Sequence, residues 1–341
     1  MESLERQALQ CAIGTGNYGR NCGGSGEVIT TYLRKNEIKK IMANDFDPTT
    51  YKITPNLTLR DYQLKNLELF KYFDHFCREH NITYYLNGGA LIGAVRHGGF
   101  IPWDCDVDIF LMRKDYERIG KLWNKYADTD HYAFDRTDHK HNMHDPGEAI
   151  KDNYTTYIRK HNINEDINHG IQIDLIALDY LSDNWFYLQW QRFNGLVFCL
   201  FNTQRLPNQQ GKIARIGTRI ILGIFRSKEV RYKIWKAAEK VVRSCDGSKS
   251  KYLGELTIGL YQTKLKYKKE WFAKPIEIPF EDMMVEAPTE IEKYLSMRYG
   301  DYMSLPPKDE QIPKMDPAFV DINTPYIKYK GIKYCKKNNK E

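Results

Sequence analysis

The sequence predicts an α+β fold, from two kinds of apolar spacing that occupy different stretches. Apolar side chains recur every three or four positions over residues 58–80 and again through much of 185–243, the spacing of a helix face. Around 106–111 and 171–178 apolar residues instead run together or alternate with polar ones, as they do in strands. With 341 residues, 42% of them apolar and 13% aromatic, the chain has ample material for a packed core.

Residues 1–50 are the least legible. IGTGNYGRNCGGSGE lies between two short helical patterns and contains a GxGxxG match at Gly14, Gly16 and Gly19. A dinucleotide site needs a buried strand before such glycines and a βαβ unit around them, and neither is present, so the stretch reads as a flexible loop. From Thr58, a candidate N-cap, Leu64, Leu67, Phe70, Phe73 and Cys77 fall on one helical face. A short strand over 82–86 then enters Asn87-Gly88-Gly89, and ALIGAVRH has a helical composition. Gly-Gly between strand and helix lets backbone amides approach a phosphate, and the helix N-terminus adds partial positive charge.

The stretch WDCDVDIFLM reads as a strand in which Asp106 and Asp108, two positions apart, project from one face. Two such carboxylates repel unless a hard cation, Mg2+ or Mn2+, sits between them. Residues 114–126 read as a helix and 131–145 as a solvated loop. His139, His141 and His144 there, with Asp138 and Asp145, match no common zinc spacing. Strands follow at 154–159 and 171–178. In the second, Asp174 shares a face with Gln172 and Ile176, and an acid inside an apolar strand needs a partner. A third carboxylate facing Asp106 and Asp108 accounts for it better than a loop cap does.

Residues 185–243 read as helical, with aromatic and basic residues interleaved. Ile213, Ile216, Ile220, Ile224 and Phe225 fall near one face, flanked by Arg215, Arg219, Arg226 and Lys228. That pattern fits a helix on an acidic membrane surface and equally a core helix with a basic solvent face. A last helix stops at Gly300, ahead of a Pro-Pro breaker, and KYCKKNNKE is expected to be disordered.

Lysine and arginine exceed aspartate and glutamate by 51 to 44, concentrated in 205–243 and 325–340. Such patches suit anionic partners, but the excess is modest for this length and no nucleic-acid reading module is present, so nucleic acid is not an expected partner. The start shows neither a signal-peptide pattern nor any apolar run of membrane-spanning length, and a cytoplasmic location, with peripheral contact at the inner membrane face, is expected. Seven scattered cysteines without a CxxC pair suit reduced thiols.

Taken together, HNITYYLNGGALIGAVRHGGFIPWDCDVDI, then YIRK, GIQIDLIALD and RYGDYMSLPP resemble the LicD family in content and order. The family comprises nucleotidyltransferase-fold enzymes that include bacterial phosphocholine transferases and, more distantly, fukutin-related proteins. The resemblance is strong over 58–180 and weaker over 285–310. It implies a nucleotidyltransferase-like mixed β-sheet with flanking helices and a mostly helical insertion and C-terminal region. On this reading 1–55 is an N-terminal extension, 56–184 the catalytic core and 185–250 a helical, basic and aromatic acceptor or membrane-surface region. Residues 251–325 would pack on the core, and 326–341 would form a basic tail.

The resemblance further implies that Asp106 and Asp108 hold Mg2+ or Mn2+ and that Asp174 completes the site, as general base or equally as a ligand. Asp104 would support the metal from behind. Gly88 and Gly89 would approach the phosphates of a donor, and Arg96, His97, Arg159 and Lys160 would contact phosphate oxygens. Where many relatives carry another aspartate this chain has Cys105, which alternation would turn away from the metal. The implied reaction moves a phospho-alcohol, phosphocholine foremost, from a CDP-activated donor such as CDP-choline to a sugar hydroxyl of a surface glycan, lipid-linked or free. The competing expectations are nucleoside monophosphate transfer from a triphosphate and a non-catalytic glycan- or membrane-binding protein.

Overall fold

The structure, a computed structural model, describes residues 46–206 and 211–336. The Gly-rich stretch and the rest of residues 1–45 lie outside the described residues, as do 337–341.

A short antiparallel pair, β1 (Lys52–Thr54) and β2 (Leu57–Thr58), leads into helix α1 (Leu59–Glu79). Thr58 begins that helix because its hydroxyl accepts from the Asp61 amide while the Asp61 carboxylate accepts from the Thr58 amide. This reciprocal box satisfies two otherwise unpaired donors. Leu67, Phe70, Phe73 and Cys77 are buried as their spacing requires, but Leu64 is exposed.

Strand β3 (Tyr84–Asn87), helix α2 (Gly88–His97), strand β4 (Asp108–Met112) and helix α3 (Arg113–Tyr126) follow. β5 (Tyr132–Arg136) and β6 (Glu148–Asp152) then pair antiparallel, and β7 (Thr156–Arg159) precedes the long β8 (Ile171–Leu181). Helices α4 (Trp185–Thr203), α5 (Gly211–Ile224) and α6 (Lys228–Val242) fill the central region. After them come β9 (Tyr252–Gly254), β10 (Tyr267–Lys268), the hairpin β11 (Ile276–Phe280) and β12 (Met283–Ala287), helix α7 (Ile291–Tyr299) and β13 (Pro317–Asp321).

The fold is α+β, built on a seven-stranded mixed sheet in the order β10-β9-β8-β4-β3, with β6 also on β8 and β5 on β6. Only β4 and β8 run parallel among these pairs. β8 is long enough to serve several neighbours: residues 171–175 pair with β6 and 179–181 with β9. Because side chains alternate along each strand, the register sorts the sheet into two faces. Tyr84 packs against Phe70 and Phe73 of α1, whereas Phe110 packs against Phe272 and Tyr294.

Three expectations need correction, and one strand went unread. β4 begins at Asp108, because Asp104 donates its amide to Ile101 O and the chain from 103 to 107 is irregular. The 131–145 region is not all loop, since Tyr132–Arg136 is a sheet strand. β6 went unseen because Glu148, Lys151 and Asp152, all buried, give it the composition of a surface segment. Lastly, residues 326–336 are ordered: Tyr334 is fully buried against His169, and the Cys335 amide donates to Ile163 O.

Candidate active site

The sheet register assembles the site. Asn87, Asp108 and Asp174 are direct partners across β3, β4 and β8, so their side chains share one face at one end of three adjacent strands. Neighbouring strands are about 4.8 Å apart, which holds Asp108 and Asp174 close without any loop to position them. Asp106 sits just before β4, and the Asp174 amide donates to Val107 O, tying that irregular segment to β8.

Ligating atoms of Asp104, Cys105 and Asp106 all lie within 4.8 Å of one another. The expectation that Cys105 turns away therefore fails. Alternation applies only within a strand, and residue 105 precedes one. Its buried thiol is pushed well up, first by burial and then by Asp106 beside it, so it stays protonated.

The two glycines leave room for these carboxylates. A Cβ on Gly88, whose φ is +59°, would meet Asp108 Oδ2 at 3.0 Å, and one on Gly89 would meet Asp104 Oδ2 at 2.2 Å. Only glycine gives the backbone this approach, and α2 begins at Gly88 itself, so its first amides lie at the carboxylate cluster.

The cluster is short of compensating charge. Crowding by protein atoms raises the Asp106 carboxyl well above its ordinary range, with Asp104 adding to the rise. Because Asp106 is still exposed, water holds part of that rise in check. Asp108 is raised well above its range by burial, Asp106 and Asp174, against a lowering by Arg298. Asp174 rises to about 6, from burial, Asp145 and Asp106, opposed by Arg159 and by the hydrogen bond that Gln172 donates to it. The two nearby arginines are already engaged. Arg159 donates to Asp145 Oδ2 at 2.7 Å, and Arg298 pairs with the buried Glu255.

The other residues expected at the site are placed differently. Arg159, on β7, lies beside Asp174 and Asp106. Lys160 points to the surface, paired with the exposed Asp316. Arg96 and His97 lie in the last turn of α2, roughly 13 Å along the helix from Gly88. There Arg96 donates to Tyr302 O at 3.0 Å, to Ser304 O at 3.2 Å and to His97. Burial, then Arg96, pushes His97 down to about 4, so it stays neutral. The structure brings Gly88, Gly89, Asp106, Asp108, Asp174 and Arg159 together, and leaves Arg96, His97 and Lys160 outside that group.

Three further residues at the site were not singled out from sequence. Arg298, on α7, lies over the Phe110 ring at 5.9 Å and acts on Asp108. The Tyr299 hydroxyl lies 3.6 Å from where a Cβ on Gly88 would stand. Asn87 is fully buried, its Oδ1 accepting from the Tyr294 hydroxyl while its Nδ2 meets no acceptor. RYGDYMSLPP contains Arg298 and Tyr299, but nothing in that string says which strand end α7 covers.

Comparison with known proteins bears on this arrangement. Residues 81–169 match the nucleotidyltransferase domain of the LicD/FKTN/FKRP family. The chain carries a domain of the LicD family. It is 28% identical over 270 residues to the lipopolysaccharide cholinephosphotransferase LicD of Haemophilus influenzae, covering 75% of this chain and 96% of that protein. It is 31% identical over 75 residues to the mouse ribitol 5-phosphate transferase FKRP, which is 18% of this chain and 15% of that one. The human FKRP matches at 46% over 41 residues, 12% of this chain and 8% of that one. Within the LicD domain lie the two glycines, Asp104, Asp106, Asp108 and Arg159. Asp174 and Arg298 come from chain beyond residues 81–169.

Proposed function

We propose that this protein is a phosphotransferase that moves a phospho-alcohol group, phosphocholine from CDP-choline in the first instance, onto a sugar hydroxyl of a lipopolysaccharide-type surface glycan. The observation that carries this reading is the pairing of Asp108 with Asp174 in register, beside Asp106 and the Gly88-Gly89 turn. The resemblance to an enzyme named for cholinephosphate transfer to lipopolysaccharide supports the substrate class.

The donor set suits a divalent cation. Several carboxylates converge, their ordinary ionisation is opposed by one another, and the nearest arginines are engaged elsewhere. All-oxygen donors favour Mg2+ or Mn2+ over softer metals. Asp106 and Asp108 would hold the ion. When bound it would supply positive charge to phosphate oxygens in the transition state.

The chain's own groups account for the rest. The first amides of α2, and the Arg159 N–H groups not taken up by Asp145, offer donors to phosphate oxygens. Asp174 accepts the proton of the attacking sugar hydroxyl as the new phosphorus–oxygen bond forms and the bond to CMP breaks. Its upward shift makes it a stronger base than an ordinary aspartate.

The test is CMP release from a panel of CDP-alcohols, with a glycan extract as acceptor, in Mg2+ or Mn2+ and in EDTA, for the wild type and Asp106→Asn. Metal-dependent CMP from one CDP-alcohol, absent in the variant, is the expected result. Pyrophosphate from a nucleoside triphosphate would replace this reading with nucleotidyl transfer.

A further inference from the structure

Helix α5 meets the rest of the protein through its C-terminal end. Leu222 packs on Phe198, Phe201 and Trp235, the Phe225 ring lies 5.5 Å from that of Phe201, and Arg231 donates to the carbonyls of Leu222 and Phe225. The core therefore lies on the side of residues 218 and 222, one turn apart. Ile216, Ile220 and Ile224 stand at four-residue steps on another arc and are 59%, 57% and 69% exposed, with Ile221 also exposed. The sequence left two options for this apolar stripe, core or outward, and the structure decides for outward.

Its charge setting is one-sided. From residue 184 to 228 the chain contains no aspartate or glutamate, and seven lysines and arginines: 192, 205, 212, 215, 219, 226 and 228. Arg215 and Arg219 project from a narrow stripe beside the isoleucines, since at 100° per residue they fall about 40° apart, and Arg226 follows two residues past the helix end. Arg215 and Arg219 are exposed and form no ion pair with any described residue. Earlier in the same acid-free segment, Trp185, Phe186, Trp190 and Phe193 of α4 are also exposed.

We propose that α5 is an in-plane membrane helix, which lays Ile216, Ile220, Ile221 and Ile224 into the acyl boundary of an anionic bilayer while Arg215, Arg219 and Arg226 reach its lipid phosphates. Burial of four isoleucines supplies the hydrophobic part, and the unneutralised arginines supply the preference for anionic lipid. A second copy of the chain would bring the same seven cations against themselves, so charge selects against that occupant. No helix among the described residues is long and apolar enough to cross a membrane, and α5 at 14 residues is suited to lie along one. The inference rests on this surface alone and does not depend on the reaction proposed above.

The experiment is co-sedimentation of the full chain with vesicles of phosphatidylglycerol and phosphatidylethanolamine, against vesicles of phosphatidylcholine, in low and high salt. Sedimentation velocity without lipid and CMP release from soluble acceptor are measured alongside. Pelleting with anionic vesicles that falls ~10-fold in the double variant Ile220→Glu/Ile224→Glu, and loses its salt dependence in Arg215→Ala/Arg219→Ala, is expected. These positions are exposed, so circular dichroism should match the wild type. Equal pelleting by the isoleucine variant, or none by the wild type, overturns the proposal. So does a wild-type dimer that the isoleucine variant splits into monomers, because that assigns the face to a second copy.

Discussion

A Cβ on residue 89 would stand 2.2 Å from Oδ2 of Asp104, closer than any real contact of that kind. The first residues of α2 and the acidic segment before β4 are thus fitted to each other at the scale of a single methyl group. Gly89→Ala must push Asp104, and with it Asp106, out of place. Because misplacement of about 1 Å can cost 10²-fold, kcat should drop on that order while Tm changes little. A variant with normal turnover would show that Asp104 has no part in the site.

Asp108→Asn should separate stability from activity. Asp108 is held in the folded protein against its own charge by burial, Asp106 and Asp174, so neutralising it relieves repulsion. Without metal, Tm should rise; with Mn2+ the wild type should gain stability and the variant should not. Turnover should fall at least ~100-fold if several kcal/mol of charge stabilisation are lost. Differential scanning calorimetry with and without Mn2+ decides the first part, and initial rates decide the second.

Asp174→Asn distinguishes two roles for one carboxylate. As a general base it contributes about 10²–10⁴-fold to rate, and its loss should leave Mn2+ affinity in calorimetric titration unchanged. A comparable loss of affinity would make it a ligand instead.

The buried pair of Arg113 and Asp179 is a structural matter. Arg113 donates from Nε and Nη2 to the two carboxylate oxygens at 2.7 Å each, and Asp179 is fully buried. Arg113→Ala leaves that carboxylate unpaired and should cost about 3–5 kcal/mol in urea unfolding. A loss below 1 kcal/mol would mean water reaches Asp179.

Acid stability has a named contributor in Asp135. Burial alone would raise its carboxyl, but Lys151, 3.0 Å away, and His141 hold it down at about 2, against 3.8 for an ordinary aspartate. A depressed carboxyl adds stability that is complete above the unfolded value and lost as pH falls through the folded one. The window is therefore from about pH 4 to pH 2. Wild type should lose stability across it relative to Lys151→Met, and parallel pH curves for the two would remove Asp135 from the account.

The sequence carried the outline of the site unevenly, for physical reasons. Asp106, Asp108 and the glycines were legible because they crowd one short segment whose composition makes little sense otherwise. Asp174 was legible as a lone acid in an apolar strand, although its exact pairing with Asp108 needs the register. Cys105 was misread because strand alternation was extended three residues beyond the strand. Glu148, Lys151 and Asp152 concealed β6, since their charges are answered by Arg136, Asp135 and Lys65 from elsewhere in the chain. Arg298 and Tyr299 depend on where α7 docks, a long-range fact that no local pattern encodes.

Strand β7, which bears Arg159, finds its strand partner in β13, with Tyr157 opposite Val320 and Thr156 opposite Asp321. The cation beside Asp174 is thus fixed by residues made more than 150 positions later. On a ribosome the glycine turn and the paired aspartates can meet long before Arg159 is clamped. An emerging chain would therefore hold its acidic cluster with that clamp still open, and the centre becomes complete only once β13 has been made.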